Sequence, residues 1–367
     1  MSQIVELLRG LVAIDSINPD LIAGTAGEAE LASFVAAWCE RAGLEVEVEE
    51  AATGRPNVIA TARGGGQGRT LLLNAHMDTV GVEAMEAPFE PRIDGSRLYG
   101  RGSYDMKGSL AAIMTVAAQA KERKLAGDVV VAAVSDEEVA SIGTEALVAS
   151  GRRFDAAVVA EPTELAVAVA HKGFAGFEIE TRGRAAHGSR PDLGVDAIAK
   201  MGPVLVELEA LARRLLERET HSLLGSGSVH ASLIEGGQEF SSYPERCVLT
   251  GERRTVPGET LADVEREVRD LLDRTEPGAS VQMGVARQPF EVEEDEEIVR
   301  LVREHVGSDV IGVPFWTDAA LIAGSGVPTV VFGPAGEGAH AAVEWVDLES
   351  VERCAEVLLG VATAFCS

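Results

Sequence analysis

The chain has 367 residues, 46% hydrophobic and 25% charged, which is enough to bury a large core in two domains. Its 59 acidic against 32 basic residues give a formal net charge of −27, a surface that repels phosphate backbones and anionic membranes and so argues against both as partners. The four cysteines, Cys39, Cys247, Cys354 and Cys366, lack CxxC spacing, which excludes a zinc ribbon or disulfide framework and fits a reducing cytoplasm.

In chain order, helical spacing over 2–15 and 27–43 precedes an alternating tract, Leu44-Glu45-Val46-Glu47-Val48. The opening residues do not read as a secretory signal, and no uncharged apolar run approaches the ~18 residues of a membrane span. A strand over 57–62 ends at the turn Gly64-Gly65-Gly66, and Leu71-Leu72-Leu73 then runs into His76-Met77-Asp78. An alanine-rich helix over 109–120 follows Asp105 and places it in the loop feeding that helix. Residues 129–134 lead into Asp136-Glu137-Glu138, and 156–160 into Glu161. Short apolar runs separated by helical stretches read as buried parallel strands of an α/β fold.

Near residue 174 the pattern changes. Phe174 to Glu180 alternates, 195–217 reads as a long amphipathic helix, and strands recur around 228–235 and 246–254. A helix over 260–274 and a strand near 280–286 complete an α+β insertion. The expected organisation is therefore 1–173 and 288–367 as one α/β domain, interrupted by 174–287. The acidic run 291–297 reads as a solvated loop and helix start, and 327–332 leads through a glycine-rich turn to His340.

Four apolar runs thus end on carboxylates or histidines. Ligands of open α/β sheets gather at the strands' carboxyl ends, so this repetition points to a metal site. Imidazole and carboxylate without thiolate suit zinc, with manganese or cobalt as alternatives. Two histidines and several carboxylates exceed what one catalytic zinc needs, whereas two metals sharing a carboxylate would use them all. Glu137 and Glu138, as neighbours on extended backbone, would point opposite ways, one to a metal and one to the bound water as general base.

Seven motifs in this order resemble a known family: HMDTV at 76–80, GRGSYDMKG at 100–108, SDEE at 135–138, AEPT at 160–163, RGRAAHGSRP at 182–191, RRTVPGE at 253–259 and FGPAGEGAHAAVEWV at 332–346. The chain resembles, nearly end to end, the dinuclear-zinc deacylases and exopeptidases that include acetylornithine deacetylase, succinyl-diaminopimelate desuccinylase and glutamate carboxypeptidase. The resemblance implies a three-layer catalytic domain with a mostly parallel sheet and an inserted lid and dimerisation domain. It also implies His76, Asp105 and Glu161 around one metal and Asp105, Glu138 and His340 around the other, with Glu137 as base. Asp78 would hydrogen-bond the His76 imidazole and fix its tautomer, and a cis peptide would follow Asp105. His187 would stabilise the oxyanion in a neighbouring subunit's site, and Arg254, rather than Arg253, would clasp a substrate carboxylate. Ser241 stands where many relatives carry an asparagine, which puts one substrate contact in doubt.

The expectation is a cytoplasmic homodimer that hydrolyses the amide of an N-acyl amino acid or small peptide with two divalent metals, zinc first. The competing readings are an N-carbamoyl amino acid amidohydrolase and a non-catalytic binding protein on the same scaffold.

Overall fold

A computed structural model of the chain describes residues 2–82, 84–218 and 220–367. The chain divides into two compact units, the first comprising 1–169, 292–311 and 317–367, the second 170–291 and 312–316.

Unit 1 begins with α1 (Gln3–Val12) and α2 (Ala29–Arg41), followed by the hairpin of β1 (Glu45–Ala52) and β2 (Arg55–Ala62) and then β3 (Leu71–His76). Gly54, at φ 74°, supplies the left-handed residue of the hairpin turn. Next come β4 (Arg92–Asp94), β5 (Arg97–Tyr99), α3 (Gly108–Arg123), β6 (Val129–Val134), α4 (Ile142–Ala149), β7 (Ala156–Val159) and β8 (Val167–His171). In the main sheet the order is β1-β2-β6-β3-β7, with β3 parallel to both β6 and β7. Strands β3, β6 and β7 are buried at every position, which is why they read as unbroken apolar runs rather than alternating ones. Leu71, Leu73, Val129 and Val131 join a core with α1, α2 and α3. Their alternates Leu72 and Val130 face the side where α4 lies, giving three layers.

Unit 2 is an antiparallel sheet in the order β10-β11-β9-β12, formed by β9 (Gly173–Arg182), β10 (Ser228–Gly236), β11 (Arg246–Thr255) and β12 (Ser280–Arg287). Helices α5 (Ala197–Leu216) and α6 (Leu261–Thr275) bury Met201, Leu208, Val268 and Leu271 against Phe177, Ile179 and Leu249 of the sheet. Thr260 caps α6 in a reciprocal box with Asp263. A short strand, β13 (Phe290–Glu291), ends the main stretch of this unit.

The remaining elements are α7 (Glu297–Val306), β14 (Val310–Val313), α8 (Ala319–Gly324), β15 (Thr329–Val331), β16 (Gly336–Glu337), β17 (Trp345–Asp347) and α9 (Leu348–Phe365). Within unit 1, β15 pairs parallel with β7 and antiparallel with β8, while α8 joins α4 on the second face and α9 packs on α3. The centre of the sheet is therefore four parallel strands, β6-β3-β7-β15, with antiparallel strands at its flanks. Their carboxyl ends share one edge. Among the described residues no helix is long and apolar enough to cross a membrane, and all four cysteines are buried and unpaired.

Candidate metal centre

Each of the four parallel strands delivers a functional group to that edge. His76 is the last residue of β3, Glu137 and Glu138 lie in the turn after β6, Glu161 follows β7, and the chain after β15 reaches His340. Asp105 comes from a tight turn over Ser103–Lys107 that feeds α3, and the Asp105–Met106 peptide is cis.

The side chains converge. His76 Nε2 is 3.2 Å from Asp105 Oδ1 and 3.7 Å from Glu161 Oε1. His340 Nε2 is 3.4 Å from Asp105 Oδ2 and 3.1 Å from Glu138 Oε2. The two Asp105 oxygens thus face different imidazoles. In each of the groups His76–Asp105–Glu161 and Asp105–Glu138–His340, one atom per residue lies within 4.8 Å of the others. A cleft of about 250 Å³ borders His340, lined also by Val80, Gly81 and Arg101.

Charge is the centre's second signature. Burial pushes the carboxyls of Glu137, Glu138 and Glu161 above the ordinary carboxylate range, and neighbouring carboxylates push in the same direction. Burial likewise raises Asp318, at the start of α8, to about 6. Burial alone would lower His76, but Asp105, Glu161 and Asp78 hold it well above its usual value. Asp105, despite burial, is pulled down by His340 and His76, and both Asp105 and Glu138 raise His340 to about 10. Among the described residues no lysine or arginine pairs with these carboxylates, and Glu138 Oε1 is buried without a hydrogen-bond partner. Excess buried negative charge, an orphaned oxygen and an all-O/N donor set fit divalent cations.

Two expectations are corrected. Glu137 and Glu138 do not sit on extended backbone: they occupy a turn entered through Asp136 at φ 70°. The Asp78 carboxylate also makes no hydrogen bond to the imidazole, which it reaches only through its charge. It accepts the N–H groups of Glu137 and Glu138, each at 3.1 Å, and the Asn18 amide at 2.8 Å. The His76 Nδ1 partner is the Asp78 backbone carbonyl at 2.9 Å, with the nearer carboxylate oxygen at 3.6 Å. A turn that exposes two consecutive N–H groups to one carboxylate outcompetes the imidazole for it.

Several supporting residues escaped the sequence reading. Asn18 also donates to Asp136, and buried Arg55 joins Asp136 to Glu28. An asparagine before a proline reads only as a turn. Glu344 left a faint trace, as an acid within the apolar tract Ala341-Ala342-Val343-Glu344-Trp345-Val346.

The remaining predicted residues belong to unit 2. His187 is exposed, and its Nδ1 lies 2.8 Å from Ser189 Oγ. Ser241 lies beside it, its carbonyl accepting the Gly188 N–H at 2.6 Å. Arg253 is buried and fixed by Glu259 and Glu267, whereas the partly exposed Arg254 pairs with Glu252 and lies 5.4 Å from the Phe174 ring.

Comparison with known proteins gives the family. Residues 72–364 match the model of peptidase family M20/M25/M40. The chain is 33% identical to an acetylornithine deacetylase of Myxococcus xanthus, across 98% of this chain and 96% of that protein. Among solved structures it resembles a tripeptidase of Staphylococcus aureus (TM-score 0.82, 20% identity, 99% and 98% of the two chains). It also resembles a dinuclear metal-binding M20 peptidase of Bacillus subtilis (TM-score 0.73, 18% identity, 99% and 98%). The chain belongs to this family and is a hydrolase of amide bonds.

Proposed function

We propose that this member of the M20/M25/M40 peptidases deacylates an N-acyl amino acid at a centre of two divalent cations, with acetylornithine the first substrate to test. The observation that carries the two-cation reading is the split Asp105 carboxylate, one oxygen toward His76 and the other toward His340. His76, Asp105 and Glu161 would hold one ion, and Asp105, Glu138 and His340 the other. Zinc is the best match to this donor set, and cobalt and manganese are the alternatives. Bound there, such a pair supplies Lewis-acid polarisation of the scissile carbonyl and acidifies water.

The chain's own groups supply the rest. Glu137, desolvated and surrounded by other carboxylates, is suited to take a proton from water and hold it for the leaving amine. Its turn is gripped at the backbone by Asp78, so the base is presented from a fixed frame. In unit 2, His187 is assigned as the oxyanion donor to a neighbouring subunit's site and Arg254 as the clamp on the substrate α-carboxylate. Arg254 fits that task better than Arg253 because its guanidinium is reachable. Ser241 offers a shorter hydroxyl where an asparagine contact is expected. A net charge of −27 also favours a cationic substrate over an anionic one.

Unit 2 supports a homodimer as well. Strand β10 is a sheet edge exposed from 230 to 236, including Leu233 and Ile234, and Phe240 is fully exposed nearby in sequence. Sedimentation should show a wild-type dimer and a monomer for Ile234→Asp; a monomeric wild type contradicts this.

The test of function is a hydrolysis panel of N-acetyl, N-succinyl and N-carbamoyl amino acids and dipeptides with zinc, cobalt or manganese. Acetate release from acetylornithine is the expected result. Ammonia release from carbamoyl substrates alone would replace the deacylase reading with the amidohydrolase one.

A further inference from the structure

We propose that Arg101 and Glu344 form a clip that positions the Asp105–His340 side of the centre, an inference that rests on the two-cation reading. Glu344 is buried and every part of its carboxylate is used. Oε2 accepts from Arg101 Nη1 at 2.6 Å and from the Gly102 N–H at 2.9 Å, and Oε1 accepts from the N–H groups of Tyr104 and Asp105 at 2.9 and 3.1 Å. Three amides of the Asp105 turn therefore converge on one anion, a concave N–H arrangement that favours negative charge. Arg101, itself only 3% exposed, sends its other donors to two carbonyls, Nε to Gly81 at 3.1 Å and Nη2 to Ala341 at 2.9 Å. The pair thereby ties together the segment after His76, the Asp105 turn and the segment that begins at His340.

The ligands depend on this clip unequally. His76 closes β3 and Glu161 follows β7 closely, so both inherit the hydrogen-bond ladder of the sheet. His340 has no ladder: it stands in a loop with φ 61° and its side chain is largely exposed. Asp105 sits in an irregular turn whose amides rest on Glu344. Neither Arg101 nor Glu344 belongs to a ligand group, so both are positioning residues. Partners of this kind are worth about 10- to 100-fold in metal affinity. Both ions share Asp105, but the ion of Asp105, Glu138 and His340 has two ligands on clipped segments, whereas the other keeps His76 and Glu161 on the sheet; weakening the clip should loosen the first by that factor and the second by no more than a few-fold.

Glu344→Gln keeps the size and one acceptor but turns an NH2 toward backbone N–H donors. Arg101→Lys keeps the charge but loses the fork to Gly81 and Ala341, and it decides the question alone if Glu344→Gln does not fold. Leu358→Ala, a truncation in the core face of α9, controls for plain destabilisation. Chelator-stripped full-length proteins are titrated with zinc by calorimetry and with cobalt by visible absorption. Two ions are expected for wild type and Leu358→Ala, and for each clip variant one ion near wild-type affinity with the second weakened 10- to 100-fold. Two ions at wild-type affinity in the clip variants overturn the proposal, as does the same selective loss in Leu358→Ala. A wild-type stoichiometry below two overturns instead the reading on which it rests.

Discussion

Asp78→Asn separates two roles for one side chain. In the structure Oδ1 accepts the Glu137 N–H, while Oδ2 accepts the Glu138 N–H and the Asn18 amide. An asparagine can place its oxygen at only one of these positions. With the oxygen at the Oδ2 position, it keeps two contacts and sets an NH2 against the Glu137 N–H. The lost contact is a charge-assisted hydrogen bond of about 1.5–3 kcal/mol. If that energy positions the base in the transition state, at about 1.4 kcal/mol per tenfold, kcat falls roughly 10- to 150-fold. The ion beside His76 should be little affected, because the imidazole is oriented by the Asp78 carbonyl, which the substitution leaves in place. The assay pairs kcat for acetylornithine hydrolysis with metal titration of the stripped variant. An unchanged kcat contradicts a positioning role for Asp78, and so does selective loss of the His76 ion, which would return the carboxylate to the imidazole.

Glu137→Gln should lower turnover by at least the 10²–10⁴ typical of a lost general base while both ions stay bound; near-normal turnover would remove Glu137 from the role. His187→Ala should cut kcat about 10²- to 10³-fold, the usual loss of an oxyanion donor, and an unaltered kcat contradicts that assignment. The pH dependence of the metal-free protein carries a definite sign. His340 is raised to about 10 by Asp105 and Glu138, against about 6.5 in an unfolded chain. Its contribution to stability is therefore fully present below pH 6.5 and lost as pH rises to about 10, and the raised carboxyls of Glu137 and Glu161 act in the same direction. Chelated protein should lose Tm over that window more steeply than metal-loaded protein, in which His340 is neutral. Equal slopes would contradict the placement of His340.

The centre of the fold was legible because its strands are covered on both faces. Burial of every position in β3, β6 and β7 leaves continuous Leu, Val and Ala runs, and the polar residues that break them mark the edge where the groups meet. Asp105 carries no such mark, since the strand before its turn, β5, is only three residues long and leaves no apolar run, and only the helix after it and its motif point to it. The details that escaped are tertiary. Asp136 enters a left-handed turn in which Asn18 holds its carboxylate and Asp78 holds the amides of the next two residues, and these partners are distant in sequence. Glu344 reaches the Asp105 turn from the far end of the chain. Periodicity records which face a residue occupies, and a carboxylate that binds backbone amides a domain's length away leaves no period behind.

The two-cation centre is tested most directly by adding zinc stepwise to chelator-stripped protein and following acetate release from acetylornithine. No turnover is expected without metal, with a rise as ion is added and saturation at two equivalents. Full activity in the stripped protein, or saturation at a single equivalent, would contradict a centre in which Asp105 serves two ions.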